Sequence, residues 1–137
     1  MKLKPSLKIL VIDDCPDTRS LIKNILERRG FTRVQVAPDA FRALSIMQDS
    51  YQHFDPVELV LADWQMPRLS GIDLLSKMKI DARFKETIFI MVSSDRDSNH
   101  VMSAINSGVD SYVIKPVNPN TLFNKISTAV RHSSRTN

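Results

Sequence analysis

The chain has 137 residues, 42% of them hydrophobic and 25% charged, with a formal net charge of +4. That suits one globular domain with a real core. No apolar run approaches the roughly 18 residues of a membrane span, and the apolar stretch behind the charged residues 1–5 is too short for a signal peptide. The single cysteine, Cys15, excludes an internal disulfide. It fits a reducing cytosol, so a cytoplasmic protein is expected.

The basic excess is scattered, with small clusters at Lys2, Lys4 and Lys8 and at Arg28, Arg29 and Arg33. It reads as solvated surface charge. Nucleic-acid binding would need a helix-turn-helix or another docking element. The expectation is one domain over residues 1–137 with no output domain, loose ends at 1–6 and 132–137, and no contact with membrane or nucleic acid.

Strand and helix patterns alternate five times. Residues 7–12 form an apolar run of strand character, and 17–29 a helix with Leu21, Ile22, Ile25 and Leu26 on one face and Gly30 as its stop. Residues 33–37 are a shorter strand. Asp39 caps a helix to about residue 49, with Ala40, Ala43, Leu44 and Met47 inward. A loop is expected over 51–56 and a central strand over 57–62. The next helix is 71–79, then a strand at 88–92, a helix at 99–107 ended by Gly108, and a last strand at 112–114. Asn118 caps the final helix with Pro119 at its first position. Leu122, Phe123, Ile126, Ala129 and Val130 face the core from it. Such alternation predicts right-handed crossovers and a parallel sheet covered on both faces.

The polar residues that end these runs carry the chemistry. Asp13 and Asp14 follow the first run, Asp63 the third, Ser93 the fourth and Lys115 the fifth. In a parallel sheet, ligands bind outside the carboxyl ends of the strands. Three carboxylates, a hydroxyl and an ammonium therefore meet in one crevice. Two carboxylates 4 Å apart repel by about 1 kcal/mol in water and about 4 kcal/mol at an effective dielectric of 20. Such a set calls for a cation. Oxygen-only ligation with few protein donors suits Mg²⁺, which keeps waters and binds phosphate oxygens. An aspartate beside it can attack phosphorus and form an acyl phosphate. Cys15 is a candidate thiol, but the neighbouring carboxylates are expected to raise its pKa and disfavour the thiolate.

Four segments then stand out: Val11-Ile12-Asp13-Asp14, Leu61-Ala62-Asp63-Trp64-Gln65-Met66-Pro67, Met91-Val92-Ser93-Ser94 and Tyr112-Val113-Ile114-Lys115-Pro116. In order and spacing, the chain closely resembles the receiver domain of bacterial two-component response regulators. The Asp-Trp-Gln-Met-Pro segment is most similar to the single-domain chemotaxis branch. The resemblance covers about residues 7–130. It implies a flavodoxin-like (βα)5 three-layer sandwich whose five parallel strands run in the order 2-1-3-4-5. It also implies Asp63 as phosphoacceptor and Asp14, Asp63 and the Gln65 backbone carbonyl as Mg²⁺ ligands, with Asp13 acting through water and Mn²⁺ as a substitute metal. Lys115 would hold a phosphoryl oxygen beside a cis bond to Pro116. Ser93 would be the switch hydroxyl and Tyr112 the switch aromatic.

Departures from the commonest family pattern are Ser93 for threonine, Ser94 for a small apolar residue, Val117 for an aromatic, and no acidic residue just before Gly71. None removes a chemical role. Gln65 and Asp95, each two residues beyond a site residue, are placed to orient the water that hydrolyses the phosphate. Trp64 is expected to be exposed and to report on the site by fluorescence.

The resemblance implies a phosphorylation switch. A sensor histidine kinase supplies the phosphoryl group, and the surface of the fourth helix, fifth strand and fifth helix changes its affinity for a protein target. That target is a flagellar motor switch, or a histidine phosphotransfer protein if the chain is a phosphorelay shuttle. The state is a monomer or weak dimer. From another class, a Mg²⁺-dependent phosphohydrolase with an aspartyl nucleophile would need a general acid where Gln65 stands and a cap over its substrate. The remaining alternatives are a phosphorylation-independent pseudo-receiver and a DNA-binding protein.

Overall fold

The structure, a computed structural model, describes residues 3–133. Its elements are β1 (Ile9–Ile12), α1 (Pro16–Arg28), β2 (Val34–Ala37), α2 (Ala40–Gln52), β3 (Leu59–Ala62), α3 (Gly71–Lys79), β4 (Ile88–Ser93), α4 (Ser98–Ser107), β5 (Ser111–Ile114) and α5 (Pro119–Arg131). The five strands form one parallel sheet in the order β2-β1-β3-β4-β5, as the resemblance implied.

Alternation along each strand divides the core into two layers. Ile9, Val11, Leu59, Leu61, Ile90 and Val92 point to α1 and α5, where Ile22, Leu26, Leu122 and Ile126 meet them. Leu10, Ile12, Val60, Ala62, Phe89 and Met91 point to α2, α3 and α4, against Ala43, Met47, Leu74, Leu75, Met78 and Ala104. β1, β3 and β4 are buried along their whole length. This is why they read as unbroken apolar runs.

The helices differ from the expected pattern in three places. α2 continues to Gln52, into the expected loop. It closes with Phe54 N–H on Tyr51 O and Asp55 N–H on Ser50 O, a Schellman arrangement in which Phe54 takes φ 59°. Glycine usually fills that left-handed position, so the stop carried no glycine to mark it. Leu21 is 50% exposed rather than inward, because α1 buries only Ile22 and Leu26. Phe123 is half-buried, packed against Phe31 and under the Arg29 guanidinium.

The expected looseness of residues 1, 2 and 134–137 lies outside the described residues. Nearer the core, Leu7 N–H bonds Lys4 O and Thr32 N–H bonds Pro5 O. Among the described residues no helix is long and apolar enough to cross a membrane.

Candidate functional site

The sheet places the predicted residues together at its carboxyl edge. Ile12 and Ala62 are register partners on neighbouring strands, so the chain leaves β1 at Asp13 and β3 at Asp63 side by side. Asp63 N–H bonds Ile12 O, and Lys115 N–H bonds Ser93 O on the other side. Carboxylate oxygens of Asp13, Asp14 and Asp63 lie within 4.8 Å of one another.

Each residue is held differently. Asp13 is 1% exposed; its Oδ1 accepts from Cys15 N–H at 2.9 Å, and its carbonyl accepts from Arg19 Nη1 at 2.8 Å. Lys115 Nζ bridges Asp13 Oδ2 at 2.8 Å and Asp63 Oδ2 at 3.0 Å. Asp63 is 8% exposed, with Oδ1 accepting weakly from Gln65 N–H at 3.3 Å. Asp14 is exposed. Three carboxylates against one ammonium leave two net negative charges. Burial pushes the Asp63 carboxyl above its ordinary range, opposed by its bond to Lys115 and by the ammonium charge. Burial pulls Lys115 down, but its bonds to Asp13 and Asp63 prevail and hold it above its ordinary value. An oxygen-only donor set with surplus negative charge fits a hard divalent cation. A cleft of about 360 Å³ opens beside Lys115, lined by Thr18, Leu21, Ser94, Pro116 and Val117. The Lys115–Pro116 bond is cis.

Ser93 ends β4 and is 1% exposed, its Oγ accepting from Asp95 N–H at 3.1 Å. Tyr112 is 6% exposed. It turns inward, its hydroxyl donating to the Asp95 carbonyl at 2.7 Å. Burial raises its pKa. Asp95 Oδ1 accepts from Asp97 N–H, and its Oδ2 faces His100 Nδ1.

Two readings of the sequence change, and one residue stands outside them. Trp64 is half-buried, not exposed: its ring meets Tyr112 and His100 edge-on, at 6.4 and 6.2 Å between centroids. Cys15 moves the opposite way from expectation. Bonds from the Thr18 side chain and from the Thr18 and Asp17 amides at the start of α1 lower its pKa, outweighing Asp13. His100 was missed altogether. The signal lay in spacing: Asp97 caps α4, so His100 falls at the third helical position, where a polar side chain reaches back over the helix start.

A parallel sheet with a cation-ready acidic pocket at its carboxyl edge, a bridging lysine and a buried hydroxyl defines the phosphate-receiving class of α/β proteins. The chain matches the response regulator receiver domain over residues 9–127 and belongs to that family. It is 33% identical over 127 residues to chemotaxis protein CheY1 of Helicobacter pylori, covering 90% of this chain and 97% of that protein. To chemotaxis protein CheY of Pseudomonas aeruginosa it is 35% identical over 120 residues, covering 88% and 93%. Among solved structures, the Clostridium thermocellum response regulator receiver domain protein has a TM-score of 0.77 at 30% identity, covering 90% and 94%. Vibrio cholerae chemotaxis protein CheY4, at 22% identity and TM-score 0.80, covers 90% and 98% and shares the fold.

Proposed function

We propose that the chain is a chemotaxis-type phosphorylation switch, accepting a phosphoryl group on Asp63 from a sensor histidine kinase and altering its affinity for a protein target. The observation that carries this reading is the Lys115 bridge. One ammonium holds Asp63 and Asp13 at 3.0 and 2.8 Å, in a pocket whose negative charge exceeds it. In the transfer an Asp63 carboxylate oxygen bonds to phosphorus as the bond from phosphorus to the donor's imidazole nitrogen breaks, its electron pair leaving on the ring.

Asp14, Asp63 and the Gln65 carbonyl would hold Mg²⁺, or Mn²⁺ in its place, with Asp13 acting through water. When bound, the cation neutralises charge on the transferring phosphoryl group. Lys115 then trades the Asp63 oxygen for an oxygen of the phosphoryl group, a group that carries about −1.5 to −2 charge in all. The Ser93 hydroxyl, now an acceptor from Asp95 N–H, donates to another. That movement acts on Tyr112, which shares Asp95 with Ser93, and so on the face of α4, β5 and α5. Exposed Met102, Ile105 and Ile114 lie on this face. The target is a flagellar motor switch, supported by the chemotaxis names of the relatives. The protein acts in the cytoplasm, and its chemistry is confined to its own phosphorylation and dephosphorylation.

Incubation with Mg²⁺ and acetyl phosphate should give one hydroxylamine-labile phosphorylation, lost in Asp63→Asn and on chelation. Label that persists in Asp63→Asn would overturn the assignment.

A further inference from the structure

One side chain of α4 bridges the two loops beside the pocket. His100 Nδ1 lies 2.7 Å from Asp95 Oδ2, and its ring is braced edge-on against Trp64. Trp64 follows Asp63, and Asp95 stands two residues beyond Ser93. His100 therefore spans the two loops that flank Asp63 on the side of β3 and β4, packed on one and bonded to the other.

Asp95 has every polar group engaged. Its N–H bonds Ser93 Oγ, its carbonyl accepts from Tyr112, Oδ1 accepts from Asp97 N–H and Oδ2 faces His100. The Asp97 amide and then His100 hold its carboxyl below the usual range, so it is an anion at neutral pH. Without His100 that carboxylate keeps only the bond from Asp97. It is 25% exposed and free to turn.

We propose that His100 is a positioning residue for loss of the phosphoryl group: by tying the Asp95 carboxylate to α4, it withholds that carboxylate from the water that attacks phosphorus. The proposal rests on Asp63 being the phosphoacceptor. In hydrolysis the water oxygen bonds to phosphorus and the bond from phosphorus to the Asp63 oxygen breaks, its electron pair staying on the carboxylate. Both water protons leave on the released phosphate. A carboxylate that accepts a hydrogen bond from the attacking water assists it; one held on α4 does not.

The test loads the full chain with acetyl phosphate and Mg²⁺ and follows decay of the label after the donor is removed. His100→Leu keeps an apolar surface for Trp64 but has no donor, and should decay roughly fivefold faster, the scale of one released hydrogen bond. His100→Gln can still donate to Asp95 and should decay near the wild-type rate. In an Asp95→Ala background, His100→Leu should change nothing. The His100 side chain is 58% exposed, so these variants should fold, which urea midpoints will confirm. Unchanged or slower decay in His100→Leu, or equal acceleration without Asp95, overturns the role of His100. A wild-type chain that takes no label overturns the phosphoacceptor reading itself, a result distinct from labelled protein with unaltered decay.

Discussion

Gly71 opens α3 directly against the main-chain carbonyl of Asp63. A Cβ on Gly71 would stand well inside 3.0 Å of that oxygen and 3.1 Å from Met91 Sδ. The Gly71 N–H meanwhile bonds Trp64 O at 2.9 Å. The missing side chain lets the β3–α3 loop fold back over the strand end that carries Asp63.

Gly71→Ala should therefore damage fold and site together. The obstacle is backbone, so no side-chain rotation relieves it, and overpacking of this kind costs about 1–3 kcal/mol. Moving the Asp63 carbonyl also moves its carboxylate, so labelling by acetyl phosphate should slow. Gly30→Ala is the control. Gly30 has no neighbour within 4 Å of a new Cβ, but its φ is +100°. Left-handed strain should cost about 1–2 kcal/mol there without affecting labelling. Urea unfolding and label incorporation check both. A Gly71→Ala protein as stable and as reactive as wild type would refute the close-approach argument.

Asp13 and Asp14 should separate in metal binding. Asp13 is buried between Cys15 N–H and Lys115, whereas Asp14 is exposed at the rim. Asp14→Ala should weaken Mg²⁺ binding by about tenfold or more and leave stability almost unchanged. Asp13→Ala should weaken Mg²⁺ less but lower the urea midpoint, because Lys115 loses a partner and the Cys15 amide its acceptor. Titration of Trp64 fluorescence with Mg²⁺ reads the first effect. Equal affinity in Asp14→Ala and wild type would count against this ligand geometry.

Burial of Asp63 has a consequence for stability. Its pKa in the folded chain is raised, so folding favours the neutral form. The stability associated with the protonated carboxyl is fully present below the unfolded value, about 3.9. It is lost as pH rises through the raised folded value. At neutral pH the ionised carboxylate is then a net cost, and Asp63→Asn should be more stable than wild type. The advantage should fade as pH falls toward the ordinary aspartate range, and also on adding Mg²⁺ to the wild type. Thermal midpoints across pH, with and without Mg²⁺, test this. An Asp63→Asn protein less stable than wild type at pH 7 would show that the Lys115 bridge outweighs burial.

The meeting of Asp13, Asp63 and Lys115 at one sheet edge was legible because buried parallel strands read as apolar runs, and a run stops where the chain leaves the sheet. The junctions Ile12 to Asp13, Ala62 to Asp63 and Ile114 to Lys115 mark that edge in the sequence itself. What could not be read depends on contacts between distant elements. Trp64 beside an acidic residue suggested the surface, yet β5 and α4 cover it through Tyr112 and His100. Leu21 has helical spacing with Ile25, but α1 buries a narrower stripe, Ile22 and Leu26, than that spacing allowed. Cys15 was judged by its sequence neighbours, while Thr18 and the α1 amides decide its chemistry.

Making the phosphate and reading it should be separable at Ser93 and Lys115. Neither supplies the attacking oxygen, so Ser93→Ala and Lys115→Ala should both still take label at Asp63. Ser93 Oγ is the acceptor for Asp95 N–H, and Asp95 in turn accepts from Tyr112. The hydroxyl thus ties the pocket to the aromatic packed against Trp64. In Ser93→Ala that tie is gone, so phosphorylation should leave Trp64 fluorescence nearly unmoved beyond the change due to metal. Lys115→Ala removes the ammonium proposed to follow the phosphoryl group and leaves Asp13 and Asp63 unneutralised. It should bind Mg²⁺ at least as tightly as wild type but show no further fluorescence change on phosphorylation. In the wild type, acetyl phosphate added after saturating Mg²⁺ should give a second, distinct change. If either variant gives that second change at full amplitude, the signal reaches Tyr112 by a route other than Ser93 and Lys115.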